Sequence, residues 1–177
     1  MTSMEPCLQL FTPAELQTRP ALVKELAFMC NVAWSGREGF HTPRFFHDHE
    51  LLENLADDSV CAVILSSAGE PVATASIKPW GTDLSGANVE LSVVAAAQHV
   101  RGKGFADRCV RAVENAAIER AGGREVTLWI KTVEHHNGAY WKRRGFAVVE
   151  ASKGPAGMWG AEKDFVLLTM ARPAQRQ

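Results

Sequence analysis

A glycine-rich turn between a predicted strand and a predicted helix has the composition of an anion-binding site. It reads Arg101-Gly102-Lys103-Gly104-Phe105-Ala106. Gly102 and Gly104 let the backbone turn and approach a ligand closely, so that successive N–H groups and the positive helix end can face phosphate oxygens. Arg101 and Lys103 add mobile positive charge. The turn therefore predicts a site for a phosphate-bearing ligand, although glycines between a strand and a helix often serve only as turn residues.

The spacing within this turn distinguishes between known phosphate-binding loops. A Walker loop needs G-x-x-x-x-G-K-[ST] and a Rossmann turn needs three spaced glycines, and neither pattern is present. Arg101, Gly104 and Ala106 instead fit the pattern Gln/Arg-x-x-Gly-x-Gly/Ala after a strand. This pattern resembles the acetyl-coenzyme A loop of the GNAT superfamily of N-acetyltransferases. The resemblance implies that residues 101–106 bind acetyl-coenzyme A.

The resemblance also gives a role to the strand before the turn. In GNAT enzymes the backbone of this strand pairs with the pantetheine arm of the cofactor, at a bulge where the strand splays from its neighbour. Val94, Ala95 and Ala96 take that place here. Small alanines suit a backbone that a ligand must approach. The alternative is a plain core strand, for which alanine has a poor propensity.

Glu90 is the predicted general base. It lies early in residues 89–96, a segment that is otherwise mostly apolar, and its spacing from Arg101 resembles that of the catalytic glutamate in histone-acetyltransferase members of the superfamily. Strand alternation places Glu90, Ser92, Val94 and Ala96 on one face of the sheet. An amine with a pKa near ~10 is mostly protonated at neutral pH, so its attack on a thioester needs a base. The alternative is a solvated glutamate at a strand start.

A second motif resembles the later GNAT helix, which ends in Tyr-x-x-x-Gly-Phe. Residues 144–146, Arg-Gly-Phe, supply the ending, but Trp141 holds the tyrosine position and Tyr140 comes one place earlier. The usual asparagine position holds Glu134, with Asn137 three residues later. An offset of one residue turns a helical side chain by about 100°, so Tyr140 can act as the general acid only if the helix shifts its register. Without such a shift, the thiolate leaves without the help of a general acid. Asn137 and Trp141 are predicted cofactor contacts, with core packing as the alternative for Trp141.

The elements that must position these residues alternate between strands and helices. We predict a single GNAT-like domain over residues 1–177, an α/β fold whose mixed, mostly antiparallel sheet is flanked by helices and splayed at the acetyl-coenzyme A strand. Hydrophobic periodicity predicts strands at 7–11, 60–65, 71–80, 89–96, 125–131, 146–149 and 165–170, and helices at 14–34 with a break at Pro20, at 49–55, from the glycine turn to 122 and at 135–144. We predict a loop at residues 152–160 and a frayed tail at residues 173–177.

The composition excludes several classes of protein. A net charge of −1 over 177 residues gives no basic excess for nucleic acid. No apolar run reaches about 18 residues and the first residues lack a secretory pattern, so we expect a cytoplasmic protein without a membrane span. The separated cysteines Cys7, Cys30, Cys61 and Cys109 suggest small core residues. The triplet His47-Asp48-His49 has no further ligands at a recognisable spacing, so no metal is expected.

The acceptor must be inferred from the aromatic side chains of the first half and the last loop. These are Trp34, Phe40, Phe45, Phe46, Trp80 and Trp159. If several line one pocket, the acceptor is an apolar or aromatic molecule with a primary amine; packing of helices on the sheet is an equal alternative. We therefore predict an acetyl-coenzyme A-dependent N-acetyltransferase for a small-molecule amine, acting by direct attack as a monomer or homodimer. A protein or peptide acceptor and a non-catalytic acyl-coenzyme A sensor are the alternatives.

Overall fold

The computed structural model describes residues 6–176. The expectation that the first residues lack a secretory pattern falls largely on residues 1–5, outside this range. The strands are β1 (Cys7–Phe11), β2 (Val60–Leu65), β3 (Pro71–Pro79), β4 (Asn88–Ala96), β5 (Thr127–Val133), β6 (Ala147–Gly154) and β7 (Phe165–Pro173). The α-helices are α1 (Pro13–Gln17), α2 (Pro20–Trp34), α3 (His49–Asn54), α4 (Phe105–Arg120) and α5 (Ala139–Lys142), and a π-helical turn (Glu134–Gly138) leads into α5.

The seven strands form one sheet in the order β1-β2-β3-β4-β5-β7-β6. Only β4 and β5 run parallel, and they pair only from Asn88 to Glu90 on β4 before they separate. All other neighbours are antiparallel. The prediction of a mixed, mostly antiparallel sheet that splays at the strand before the glycine turn is therefore confirmed.

Helices cover both faces of the sheet. On one face, Cys109 and Val113 of α4 pack with strand residues such as Leu128. On the other face, Leu16 of α1 and Leu26 of α2 pack with Cys61 and other strand residues. Cys30, Cys61 and Cys109 are buried free thiols, whereas Cys7 is exposed. Strand β4 contributes side chains to both of these cores, Leu91 to one and Val93 to the other.

The predicted break at Pro20 separates α1 from α2. The Thr12 side chain and Glu15 form a capping box that starts α1, with Pro13 in its first turn. Pro20 then occupies the first turn of α2, where its missing N–H costs nothing. Among residues 6–176 no helix is long and apolar enough to cross a membrane.

The end of the chain differs from the prediction of a frayed tail. Strand β7 runs on to Pro173, after which the Ala174 N–H donates to the Val126 carbonyl at 2.8 Å. The Gln175 N–H donates to Glu114 Oε1 at 2.8 Å. Glu114 is buried in α4 and pairs with Arg172 through bonds of 2.6 and 2.8 Å. This buried pair orders residues 173–175, which sequence composition alone did not predict; strand β6 likewise extends to Gly154, into the predicted loop.

Candidate active site

The glycine turn has the backbone conformation that its sequence predicts. Gly102 and Gly104 have φ angles of 78° and 74°, and Gly104 is the N-cap of α4. A side chain at either position would meet no protein atom within 4 Å, so the left-handed backbone is what favours glycine here. The first N–H groups of α4 have no acceptor within the helix and lie at its positive end. The turn can therefore donate several N–H groups to an anion.

This turn borders a cleft of about 400 Å³, a size typical of small-molecule sites. Most of the residues predicted to bind the cofactor line it, together with Tyr140: Val94, Ala95, Ala96, Arg101, Gly102, Gly104, Phe105, Ala106, Asn137 and Trp141. Lys103 is exposed and lies outside this lining. We call this space the cofactor cleft.

Strand β4 carries a bulge where it borders the cofactor cleft. Ser76 pairs with Ser92 and Thr74 with Ala95, so β4 has one residue more than β3 between these pairs. Val93 takes a φ of 50°, which is unusual for a β-branched residue and costs roughly 1–3 kcal/mol. Beyond Glu90, β4 also has no partner in β5. The backbone of Val93 and Val94 therefore lacks a strand partner on either side, as a strand that receives a ligand requires.

The bulge corrects one prediction. Simple alternation placed Glu90, Ser92, Val94 and Ala96 on the same face, but the extra residue reverses the alternation. Leu91 packs in the core on the α4 face, and beyond the bulge Val94 and Ala96 pack there too, whereas Val93 joins the opposite core. Glu90 thus points to the face opposite Val94.

Glu90 lines a second, smaller cleft of about 70 Å³ where β4 and β5 separate. We call it the acceptor cleft. Val94, Asn137 and Trp141 line both clefts, so the two spaces meet at the splay. The carboxylate of Glu90 has no hydrogen-bond or ion-pair partner among residues 6–176. Lys78, its neighbour across the strand pair, donates to the Asn54 carbonyl instead. The carboxylate therefore lies in the acceptor cleft without a protein partner.

Tyr140 points into the cofactor cleft and not towards Glu90. Its hydroxyl donates to Asp107 Oδ1 at 2.9 Å, and Arg144 donates to both Asp107 oxygens at 2.9 and 2.7 Å. The Arg144 hydrogen bonds hold the pKa of Asp107 below its usual value. Burial, followed by the bond to Asp107, raises the pKa of Tyr140 above its usual value of 10.0. In this geometry the hydroxyl proton of Tyr140 is bonded to Asp107, and the role of Tyr140 as general acid stays a prediction that a substitution must test.

The π-helical turn (Glu134–Gly138) explains how Asn137 and Trp141 reach the site. A π-helical turn contains one residue more than an α-helical turn and so shifts the register of the helix after it. Asn137 Oδ1 accepts from Arg37 Nη1 at 2.9 Å. Trp141 is 4% exposed and packs edge-on against Phe146. It is a core residue whose remaining surface lines the clefts.

Sequence reasoning missed two arginines, Arg37 and Arg44. Arg37 lines the cofactor cleft near Arg101, and burial, followed by the charge of Arg101, lowers its pKa. Arg101 itself reaches the Ala33 carbonyl at 3.3 Å. Arg44 lines the acceptor cleft. Neither lies in a motif, and the position of Arg44 within an aromatic stretch was the only local signal, since arginine stacks readily on aromatic rings.

The predicted aromatic residues divide between the site and the core. Trp34 and Trp159 line the acceptor cleft. Trp80 stacks on Trp129 at 4.8 Å and lines a groove that Glu90 also borders. Phe40 and Phe45 are core residues and Phe46 is 67% exposed. Within residues 6–176 no group of three or more metal-ligating side chains occurs, and metal independence stays a prediction.

Comparison with known proteins identifies relatives of this chain. A model of the "Acetyltransferase (GNAT) family" matches residues 26–146. An aminoglycoside 6'-acetyltransferase type Ii structure aligns over 97% of this chain and 99% of its own, with a TM-score of 0.68 and 16% identity. An aminoglycoside 6'-N-acetyltransferase complexed with coenzyme A aligns over 97% and 98%, with a TM-score of 0.67 and 14% identity.

A phosphinothricin acetyltransferase from Sinorhizobium meliloti, in complex with acetyl-coenzyme A, aligns over 97% of this chain and 89% of its own. Its TM-score is 0.69 and its identity 15%. A comparison with curated protein sequences gives no match. At these identities the structural likeness shows a common fold, and the match over residues 26–146 carries the family assignment.

Proposed function

The chain belongs to the acetyltransferase (GNAT) family, and from this premise we propose that it transfers an acetyl group from acetyl-coenzyme A to the amine of a small molecule. The observation that carries the proposal is the meeting of the two clefts at the splay between β4 and β5. The glycine turn lies along one cleft and the unpaired Glu90 carboxylate in the other. A thioester in the first cleft would thus be reached by an amine in the second.

The cofactor cleft suits coenzyme A in its chemistry. The left-handed glycine turn and the start of α4 offer N–H groups to phosphate oxygens. Arg37 and Arg101 line the same cleft without a carboxylate partner among residues 6–176. The unpaired backbone at Val93 and Val94 is available to an extended pantetheine arm.

Glu90 acts as the base in the proposed reaction. Its carboxylate takes a proton from the acceptor ammonium, directly or through water, and the freed amine nitrogen attacks the thioester carbonyl carbon. The new C–N bond forms as the C–S bond breaks. Backbone N–H groups at the bulge polarise the carbonyl oxygen as negative charge develops on it. Because thiols have pKa values of only about 8–9, the departing thiolate can take its proton from water.

The acceptor cleft favours a small molecule over a peptide or a polycation. Its volume is about 70 Å³, too small for an extended chain. Glu90 is the one carboxylate among the described residues that line it, beside the cations Arg44 and Lys131. A polycation such as an aminoglycoside would need more acidic lining, so we do not transfer that acceptor from the structural neighbours to this chain.

The first experiment measures thiol release from acetyl-coenzyme A over a panel of amines, with Glu90→Gln compared with the parent. Calorimetry first establishes that both proteins bind coenzyme A, and the signal of the exposed Cys7 thiol is subtracted. We expect Glu90→Gln to lower kcat by roughly 10²-fold or more with coenzyme A affinity unchanged.

The matched control is Glu150→Gln, an exposed glutamate on β6, which should leave kcat unchanged. Equal activity of Glu90→Gln and the parent would refute Glu90 as the base. Binding of coenzyme A without turnover on any amine would instead support a non-catalytic acyl-coenzyme A sensor. Failure to bind coenzyme A would refute the role of residues 101–106.

A further inference from the structure

Arg44 has an unusual environment for a surface-loop arginine. Its guanidinium carbon lies 5.5 Å from the ring centroid of Trp34, 5.5 Å from that of Phe45 and 5.6 Å from that of Trp159. Three aromatic rings therefore hold a planar cation that is already partly buried. A guanidinium held against rings keeps its N–H edge available for in-plane hydrogen bonds.

No carboxylate within residues 6–176 forms an ion pair with Arg44. Two other enclosed arginines have carboxylate partners, since Arg144 binds Asp107 and Arg172 binds Glu114. Arg37 lacks a carboxylate partner too, but its guanidinium donates to the Asn137 side chain. Burial lowers the pKa of Arg44, with opposing effects from Cys30 and then Glu90. A partly buried cation that lacks an anionic partner is costly unless a ligand supplies the anion.

Arg44 and Glu90 line the same cleft with opposite charges. The cleft is small, about 70 Å³, so a molecule that meets both groups must carry its own charges only a few bonds apart. An ammonium group suits Glu90, and a carboxylate or similar anion suits the bidentate edge of Arg44. Lys131, on the β5 side of the cleft, adds positive charge near the same space.

We propose that the acceptor is a compact amine that carries an anionic group, of the amino-carboxylate type, and that Arg44 binds this anion while Glu90 faces the amine. The inference rests on the proposed acetyl transfer and specifies the substrate class of the same site. Arg44 then sets specificity: it favours an amine with a neighbouring carboxylate over the same amine without one.

The test compares pairs of compact amines that differ in the anionic group, such as glycine with glycinamide and 3-aminopropionate with propylamine. Each amine is assayed with the parent, Arg44→Gln, Arg44→Lys and the control Arg19→Gln. Arg19 also stacks on a ring, Phe11 at 5.2 Å, but outside the cleft. For each amine, the kcat/KM of a variant is divided by that of the parent, so differences in basicity between amines cancel.

We expect Arg44→Gln to lower kcat/KM for the carboxylate member of a pair by roughly 10–100-fold, mainly through KM, since a hydrogen bond to a charged group has this strength. The uncharged member should change by less than about 3-fold, and coenzyme A affinity should not change. Arg44→Lys should restore part of the loss, and Arg19→Gln should match the parent. An equal fall for both members of each pair would make Arg44 a merely structural residue and overturn the inference.

A second readout separates this inference from the proposed function. Tryptophan fluorescence, to which Trp34 and Trp159 beside Arg44 contribute, is followed as carboxylates are added to the coenzyme A-bound protein. Carboxylate binding that Arg44→Gln abolishes would support the anion site even if no amine is acetylated. Acetylation of uncharged amines without any preference for, or binding of, carboxylates would support the acetyltransferase and overturn the anion site.

Discussion

Replacing Tyr140 by phenylalanine tests whether its hydroxyl protonates the departing thiolate. The Tyr140 hydroxyl donates to Asp107 at 2.9 Å, and burial, followed by this bond, raises its pKa above 10.0. The thiol has a pKa of about 8–9, and each unit by which the donor exceeds this value makes proton delivery tenfold less favourable. Tyr140 is therefore a poor acid for this step.

We expect Tyr140→Phe to lower kcat by less than about 10-fold, whereas loss of a true general acid costs roughly 10²–10⁴-fold. The assay is steady-state thiol release with saturating acetyl-coenzyme A, together with the KM for acetyl-coenzyme A. That KM should rise modestly, because Asp107 loses a hydrogen-bond donor beside the cofactor cleft. A loss of turnover by roughly 10²-fold or more, with KM unchanged, would refute this reasoning and restore Tyr140 as the acid.

A spectroscopic titration checks the premise directly, because Tyr140 is the single tyrosine of the chain. Phenolate absorbance should appear only well above pH 10, and at lower pH in Asp107→Asn. Since the folded-state pKa lies above the unfolded value of about 10, the neutral phenol stabilises the fold below that pH, and the contribution is lost as the pH rises through the folded-state pKa. Titration at or below pH 10 in the folded parent would contradict the described environment.

Two further predictions concern the glycine turn and the buried ion pair. Gly104→Ala and the control Gly122→Ala both place alanine in a left-handed backbone, at φ values of 74° and 61° with open space around them. Each substitution should therefore destabilise the fold by about 1–2 kcal/mol. Only Gly104→Ala should weaken coenzyme A binding in calorimetry, and equal binding by both variants would contradict the role of the turn. Glu114→Gln should lower the free energy of unfolding by roughly 3–5 kcal/mol in urea titrations, because it leaves Arg172 buried and uncompensated. Asp164→Asn, which removes an exposed pair with Lys153, should leave the urea midpoint nearly unchanged, and similar losses for both would show that burial of the Glu114 pair is unimportant.

The prediction of the fold from sequence succeeded where the signals are local. Strand β2 has the predicted bounds Val60–Leu65, because an apolar run of six residues that is rich in β-branched side chains and lies between turn residues favours a buried strand. The glycine turn was predicted equally well, because backbone positions with positive φ favour glycine, and glycine stands at 102 and 104. The order of such elements, together with the resemblance of one motif, was enough to predict the sheet and its splay.

The sequence by itself thus determined the order of the elements and the conformation of the glycine turn, and it singled out Glu90 as the candidate base. Only the tertiary structure decided which side chains share a cleft. The bulge at Val93 reversed the alternation of β4, because an extra residue depends on the pairing with β3 and not on local propensity. Arg44 lies in a loop without a motif, and its importance arises from Trp34 and Trp159, residues distant in sequence that the fold brings around it. Contacts between residues distant in sequence produce no periodic pattern in a single sequence. The residues that line the acceptor cleft could therefore be identified only from the structure.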